Sequence, residues 1–195
     1  MVILVKVSLL QITPDAANFI GDCAGICYNS KRDTDSNIKR AVGCLDKGHL
    51  ATLRFAHATF HVSGISRVCS HQMVRSKHLD FLQRSQRYCK ETETNFLYPS
   101  TVDEDKHFLF EDVYRTCLEQ YNRLLSLGIK KEDARFVLPE ATTTELIVTG
   151  NFQAWVDFIK LRADTHAQWE IREVAKEINN ILAKETNNTI FKWQP

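Results

Sequence analysis

The sequence contains no apolar run that approaches the roughly 18–20 residues of a membrane-spanning helix. Its opening apolar stretch, residues 2–5, is too short for the core of a signal peptide, and no cleavage pattern follows it. Internal repeats, low-complexity tracts and glycine–serine linkers are also absent. We therefore expect a cytoplasmic protein whose residues 1–195 form a single domain, with a loose tail over residues 187–195.

The six cysteines form no C-x-x-C pair, and no set of cysteines and histidines has the spacing of zinc ligands. Cys23 and Cys27 lie four residues apart on an apolar helical stripe, as expected of reduced thiols in a core. His57 and His61 share one face of a predicted strand without a third ligand nearby, so we predict no metal site. A G-x-G-x-x-G motif is missing too, so any flavin or nicotinamide would bind without that fingerprint.

Charge of one sign is not in excess, because the formal net charge is only +1. A broad nucleic-acid interface needs a basic excess, so we expect no nucleic-acid partner. Because no apolar run is long enough to span a membrane, we expect no membrane partner either. The charge is nevertheless uneven, because residues 67–90 contain only one acid, Asp80. The same stretch contains six basic residues: Arg67, Arg75, Lys77, Arg84, Arg87 and Lys90. This patch suits a small anionic ligand, although a solvated cationic loop has the same composition.

Local patterns predict both strands and helices. Alternating apolar and polar residues indicate a half-buried strand over 56–63, and the β-rich opening predicts another over 2–10. Thr13 and Pro14 are the residue types of an N-cap and a first helical position, and the helix that they begin should end near Tyr28. We expect a loop leading into a strand over 78–90, and further helices over 35–48, 66–77, 103–127, 131–138 and 151–184.

Two short runs contain the residue types of a nucleotide site. The first runs from Arg75 to the sequence RSQRY at residues 84–88, and the second reads LRADTHAQWEIR at residues 161–172. Arginine provides bidentate donors, serine a hydroxyl, and glutamine both a donor and an acceptor. These groups are the ones that a phosphate and a planar polar ring require.

Together the two runs resemble the flavin-dependent thymidylate synthases. That family has an Arg-His-Arg signature, then seven residues and a Ser-(Gly/Gln)-Arg-Tyr ending, and a C-terminal Leu-Arg-x-x-x-x-Ala-Gln-x-Glu-Ile element. Here the signature reads Arg75-Ser76-Lys77, seven residues and Ser85, and the C-terminal element is intact. The resemblance extends from about residue 11 to about residue 175, and it includes Gly48-His49 and residues 60–67 and 134–139.

The resemblance implies an α+β fold, in which a small mixed β-sheet packs with several helices, two of them long. It also implies thymidylate synthesis, in which FAD mediates methylene transfer from methylenetetrahydrofolate to C5 of deoxyuridine monophosphate (dUMP). NADPH supplies the hydride and no cysteine nucleophile is needed. The implied assembly is a homotetramer with active sites shared between subunits.

Site residues follow from the same resemblance. The implied dUMP-binding residues are Gln72, Arg75, Ser85, Gln86, Arg87, Arg135 and Arg162. The implied FAD-binding residues are His49, Arg75, Ser76, Lys77, Gln83, Asn151 and Gln153. Arg162 is the implied catalytic residue, and we expect it to share one side of the last helix with His166. From the sequence alone, Arg162 and Arg135 are also compatible with solvated surface charges, and His49 with a residue that ends a helix.

The chain departs from the family pattern mainly at flavin positions. Ser76 and Lys77 replace His and Arg, Gln83 replaces a common Glu, and Gln153 replaces an Arg. After Gly48-His49, the family's hydroxyl residue and Glu-His pair read Ala51, Arg54 and Phe55.

Two interpretations of these departures stay open. In the first interpretation, the substitutions compensate one another, and Arg54 supplies the charge that Gln153 lacks. Alternatively, the chain has lost flavin affinity or changed its reaction. It would then be a related enzyme that hydroxymethylates C5 of a pyrimidine nucleotide, or a non-catalytic nucleotide-binding protein.

Overall fold

A computed structural model describes residues 5–91 and 96–192 of the chain. Its strands are β1 (Lys6–Ile12), β2 (His57–Ser66), β3 (Leu79–Gln83) and β4 (Thr143–Asn151). Its α-helices are α1 (Ala16–Ile26), α2 (Thr34–Asp46), α3 (Arg67–Met73), α4 (His107–Ser126), α5 (Lys131–Ala134), α6 (Phe152–Arg162) and α7 (Trp169–Glu185). Short 3-10 helices occupy Leu50–Phe55, Glu104–Lys106 and Arg135–Val137. None of the helices in the two described ranges has both the length and the apolar character of a membrane span.

The four strands form one sheet in the order β1-β2-β4-β3. The α+β class is therefore confirmed. The expectation of a mixed sheet is wrong, because all three neighbouring pairs are antiparallel. The two central strands, β2 and β4, meet at Thr59 and Thr149, whose hydroxyl oxygens are 2.7 Å apart.

The alternation predicted for residues 56–63 is confirmed. Ala58, Phe60 and Val62 are buried on one face of β2, where they pack against the helices. The ring of Trp155 on α6 meets Phe60 edge to face at 5.1 Å between centroids. Its indole Nε1 donates to the carbonyl oxygen of Ala58 at 3.1 Å, so α6 is attached to the sheet by both packing and a hydrogen bond.

The single helix predicted over 151–184 is wrong. Asn151 ends β4 and caps α6 by accepting a hydrogen bond from the Ala154 amide at 2.9 Å. The helix ends at Arg162, and the side chain of Gln168 caps α7 by accepting from the amides of residues 170 and 171. Side-chain caps of this kind compete with a continuous helix. Arg162 and His166 consequently do not share a helical face.

Strand β4 was not predicted, and the sequence did contain a signal for it. Residues 143–149 read TTELIVT, which is rich in the β-branched residues that favour strands. The prediction for 78–90 had the right elements in the wrong order, because β3 comes first and the loop follows it.

The end of the chain is not loose as far as residue 192. Ile190 and Phe191 are buried, and the Phe191 ring lies 5.1 Å from that of Phe152. The carbonyl oxygen of Lys192 accepts a hydrogen bond from Asn179 at 2.7 Å. Apolar residues in the tail therefore cover α6 and α7, while residues 193–195 lie outside the described residues.

Candidate functional site

Helix α3 and strand β3 form a helix–strand hairpin with a polar cluster at each end. The arginine end comprises Arg67, residues 84–87 and Arg135. The turn end comprises Gln72, residues 74–78, Asn151 and Arg162. Because α3 has seven residues, the two ends are separated by about 10 Å along its axis.

At the turn end, the second motif run meets Gln72, which lies three residues before the first run and about 90 positions from Arg162. The Nη2 atom of Arg162 donates to the carbonyl oxygen of Gln72 at 3.0 Å. The side-chain amide of Gln72 lies 3.4 Å from the Oε1 atom of Gln168, which caps α7. The guanidinium of Arg162 is thereby held against α3, although the sequence allowed it to be a solvated surface charge.

A buried carboxylate holds α3 in place from α7. Glu170 is 1% exposed and accepts hydrogen bonds from both the amide and the hydroxyl of Ser66, each at 2.6 Å. Ser66 in turn caps α3 by accepting from the amide of Cys69 at 3.1 Å. Burial raises the pKa of Glu170, while the Ser66 hydrogen bonds lower it. Our sequence predictions missed this contact.

Three buried side-chain polar atoms lack a hydrogen-bond partner in residues 5–91 and 96–192. They are Arg67 Nε, Ser76 Oγ and Arg162 Nε. A buried donor without an acceptor costs about 1–3 kcal/mol, so such atoms are rare in folded proteins unless a ligand satisfies them. Ser76 and Arg162 were predicted site residues. Arg67 lies on α3, Ser76 lies on the turn after it, and Arg162 contacts it.

Predicted flavin residues meet in a cavity of about 190 Å³ beside the turn end. Its lining residues are Arg54, His78, Asn151, Gln153, Ala154 and Asp157. The Nε atom of Arg54 donates to the Oε1 atom of Gln153 at 2.7 Å, across 99 positions of sequence. The two substituted positions are thus in direct contact, as the compensation hypothesis requires. Arg75 and Lys77 are exposed on the turn that leads to His78, which lines this cavity.

Two other predicted flavin residues lie elsewhere. His49 lines a separate cavity of about 660 Å³ together with Lys39 and Lys47. Gln83 donates to the hydroxyls of Ser70 at 2.9 Å and Thr144 at 3.3 Å, so its side chain joins the sheet to α3. Within this single chain, neither residue reaches the cavity beside the turn end.

The arginine end brings together four predicted nucleotide residues. The Arg87 amide donates to the Ser85 hydroxyl at 3.2 Å, which closes a tight turn that half-buries Ser85 and buries Gln86. The guanidinium of Arg87 pairs with the Glu132 carboxylate at 3.2 Å. Arg135 donates to the backbone oxygen of the same glutamate at 3.0 Å. The loop and the α5 region therefore form one cluster.

A second buried carboxylate organises this cluster. Glu91 is fully buried and accepts two hydrogen bonds from Arg84, at 2.7 and 2.9 Å. This pairing raises the pKa of Arg84. Arg67 donates from Nη2 to the carbonyl oxygen of Arg84 at 2.9 Å. Burial lowers the pKa of Arg67, against the Glu91 charge, and the neighbouring Arg84 and Arg135 lower it further.

Comparison with known proteins gives consistent matches. The family model described as "Thymidylate synthase complementing protein" matches residues 8–186. The flavin-dependent thymidylate synthase of Geobacter sulfurreducens is 38% identical over 199 residues, covering 96% of this chain and 85% of that protein. The corresponding enzyme of Thermococcus kodakarensis is 39% identical, over 84% of this chain and 69% of that protein. The Mycobacterium tuberculosis enzyme is 36% identical, over 80% and 68%.

Proposed function

The chain belongs to the flavin-dependent thymidylate synthase family, and we propose that it converts dUMP to dTMP with methylenetetrahydrofolate, FAD and NADPH. The observation that carries this proposal is the contact between Arg162 and Gln72. It joins the second motif run to Gln72, a predicted nucleotide residue just before the first run, and the Nε atom of Arg162 is buried without a partner among the described residues.

We assign the activation of the uracil ring to Arg162. A guanidinium beside N3 and the C4 oxygen would stabilise the ionised ring, and negative charge would then build at C5, the carbon that attacks the methylene group. Cys69, on the neighbouring helix α3, is fully buried, and burial raises the pKa of its thiol. It therefore stays protonated, which suits a route without a cysteine nucleophile.

The remaining nucleotide contacts are divided between the two ends of the hairpin. Gln72 and Arg75 at the turn end would orient the base and sugar near Arg162. The residues that would hold phosphate and sugar at the arginine end are Ser85, Gln86, Arg87 and Arg135. Arginine forks and loop amides are suitable phosphate ligands.

The residues beside the turn end fit a flavin with its phosphates. The unpartnered Ser76 hydroxyl offers a hydrogen bond, and Asn151 marks the N-terminus of α6, where the helix dipole favours anions. Arg54 lines the same cavity, as does the acid Asp157, and Arg75 and Lys77 add positive charge on the turn that leads to His78. When bound, the flavin supplies the redox chemistry of the reaction. His49 lies beside Lys39 and Lys47, whose charges suit the carboxylates of the folate donor.

Arg54 should contribute to FAD affinity in place of the cation missing at Gln153. We expect Arg54→Gln to weaken FAD binding about tenfold, or about 1.4 kcal/mol, because one cationic fork is lost. The double variant R54Q/Q153R returns a guanidinium to the other member of the contacting pair and should bind FAD within about twofold of the unmodified protein. Quenching of flavin fluorescence measures the affinity of each variant.

The matched control for this pair is Lys160→Gln, which removes an exposed charge from the last turn of α6. Its FAD affinity should not change. Equal FAD binding by Arg54→Gln and the unmodified protein would show that Arg54 does not contact the flavin. A double variant no better than Arg54→Gln would show that the two positions are not interchangeable.

A homotetramer with shared sites is part of the proposal. Helix α4 exposes Phe108, Leu109 and Val113 at 57%, 55% and 60%, and an apolar face of this kind is typical of a subunit interface. A site completed by a neighbouring subunit would bring the arginine end of one chain to the turn end of another.

The product of the reaction tests the proposed function. We would incubate the protein with dUMP, FAD, NADPH and methylenetetrahydrofolate and measure the nucleotide by mass spectrometry. Gain of one methyl group is the expected result. The altered flavin positions favour hydroxymethylation as the second candidate, and gain of a hydroxymethyl group would establish it. A third result would be unchanged dUMP, from folded protein that binds dUMP but not flavin. That result would identify a non-catalytic nucleotide-binding protein.

A further inference from the structure

The cavity of about 660 Å³ that His49 lines extends as a groove along one face of α2. Among its lining residues are Ser36, Arg40, Gly43 and Lys47, which follow one another at intervals of four, three and four positions. Residues at these intervals lie on one side of a helix. The eleven positions from 36 to 47 correspond to about 16 Å of helix, so the groove has the length of a short extended chain.

The groove carries charge of one sign. Its lining contains Lys39, Arg40 and Lys47 but neither Asp nor Glu. Arg40 supports the fold, because its guanidinium donates to two backbone oxygens of the segment that contains α1 and the loop after it. Lys39 and Lys47 are exposed, and in residues 5–91 and 96–192 neither of them has a carboxylate at ion-pair distance. Two positive charges in the groove are therefore available to an anionic ligand.

Gly43 keeps the middle of this groove open. It lies inside α2, where glycine is less favourable than alanine. Close packing requires the glycines of α1, since a Cβ at Gly21 would meet the backbone of Asn37 and a Cβ at Gly25 would meet the Arg40 guanidinium. A Cβ built at Gly43 has nothing within 4 Å. No neighbour requires a glycine at this position, and its effect is to leave space beside the two lysines.

The proposed reaction supplies a ligand with the shape and charge of the groove. The resemblance places His49 at the flavin, and the ring of the folate donor must also lie there to transfer its methylene group. Folates end in a glutamate, and further γ-linked glutamates lengthen this tail by one carboxylate each. Positions 39 and 47 are about 12 Å apart along the helix axis, so a single phosphate does not reach both lysines, whereas a chain of carboxylates does.

We propose that this groove binds the poly-γ-glutamate chain of the folate donor. Lys39 and Lys47 pair with its carboxylates, and Gly43 leaves room for the chain between them. This inference rests on the proposed function, because the folate is a co-substrate of that reaction. It makes the poly-γ-glutamylated folate the preferred form of the donor, and it accounts for two unpaired lysines and an open helix face in one place.

The test compares methylenetetrahydrofolate that carries one glutamate with the form that carries five, in assays of dTMP formation. We expect the unmodified protein to have a KM about tenfold lower for the pentaglutamate, which is the gain that two exposed ion pairs would give. Salt screens exposed charges, so the ratio of the two KM values should fall toward one as ionic strength is raised from about 0.05 to 0.5 M.

The double variant K39Q/K47Q should reduce this ratio to about twofold or less, because both cations are lost. Its matched control is K160Q/K184Q, which removes two exposed lysines from α6 and α7 and should keep the tenfold ratio. The two KM values come from the same variant, so a smaller amount of active protein does not change their ratio.

Gly43 gives a second test that leaves the charges in place. Gly43→Phe should fill the groove and bring the ratio close to one, and the open space at its Cβ lets the helix form normally. Gly43→Ala is the control for this change, because it leaves most of the groove open and should keep the tenfold ratio. Alanine favours the helix, so the thermal midpoint of Gly43→Ala should rise by about 2–4 °C.

The outcomes separate this inference from the proposed function. Absence of dTMP formation with either folate would overturn the proposed function itself. If dTMP forms, equal KM values for the two folates would overturn only the inference, as would a preference that survives in K39Q/K47Q or in Gly43→Phe. A raised KM for NADPH in K39Q/K47Q, with the folate ratio unchanged, would also overturn it and assign the two lysines to a phosphate of the nicotinamide cofactor.

Discussion

Replacing Arg162 with alanine should abolish measurable dTMP formation while the protein stays folded. Removing a donor that stabilises developing charge in an enclosed site typically lowers kcat by about 10²- to 10³-fold. Arg162 meets the structural requirements for this role, because its Nη2 atom is held by the carbonyl oxygen of Gln72 and its Nε atom is buried without a partner. The loss should therefore appear in kcat as well as in kcat/KM.

Single-turnover measurement of dTMP from enzyme loaded with FAD and dUMP would give the rate of the chemical step. Arg162→Lys keeps the charge but loses the planar fork, and it should recover only part of the rate. Lys160→Gln removes a nearby exposed charge from α6 and should leave the rate unchanged. The alanine variant loses one hydrogen bond within the protein, worth about 1 kcal/mol, so its thermal midpoint should fall only slightly. Full activity in Arg162→Ala would show that Arg162 does not activate the uracil ring.

Mixing two inactive variants should restore activity if each site takes its residues from two subunits. Arg87→Ala damages the arginine end and Arg162→Ala damages the turn end of the same hairpin. In a random mixture, about one site in four would combine an intact arginine end from one chain with an intact turn end from another. We therefore expect about a quarter of the unmodified activity from oligomers formed by refolding or co-expressing the two variants together.

The control for mixing uses two changes at one end of the hairpin. The backbone carbonyl oxygen of Gln72 accepts from Arg162 within the same chain, so both residues belong to the turn end of that chain. A site whose turn end lacks one of the two side chains cannot be repaired by a subunit whose turn end lacks the other. Mixing Arg162→Ala with Gln72→Ala should thus give no recovery beyond the activity of the separate variants. No recovery with Arg87→Ala and Arg162→Ala, in particles shown by light scattering to be mixed oligomers, would show that one chain supplies both residues.

Short-range features of this protein were predictable because they depend on neighbours in sequence. The alternation over residues 56–63 shows which face of β2 is buried, since side chains alternate across a strand. Ser66 is a typical N-cap residue, and it caps α3 at the point where the predicted helix over 66–77 begins. The resemblance of the runs around Ser85 and Arg162 to one family identified the chemistry, because that chemistry needs particular residue types at particular spacings.

Local patterns were insufficient where side chains compete with regular structure. Residues 151–184 have the apolar periodicity of one helix, but the side chains of Asn151 and Gln168 satisfy backbone amides and begin two separate helices. Strand β4 was missed although its β-branched residues were visible, because its central place in the sheet depends on pairing with β2 and β3. Burial of Phe191 likewise depends on Phe152, 39 positions earlier.

The sequence by itself determined the family, the buried face of β2 and the residue types of the site. Only the tertiary structure decided which of those residues meet. Arg54 contacts Gln153, Glu170 holds Ser66, and Arg84 is paired with Glu91 while Arg67 is not. The first two contacts join residues about 100 positions apart, so their formation depends on how the whole chain packs around the sheet. The availability of an arginine for a ligand is a property of such contacts, because it depends on which carboxylates lie within reach.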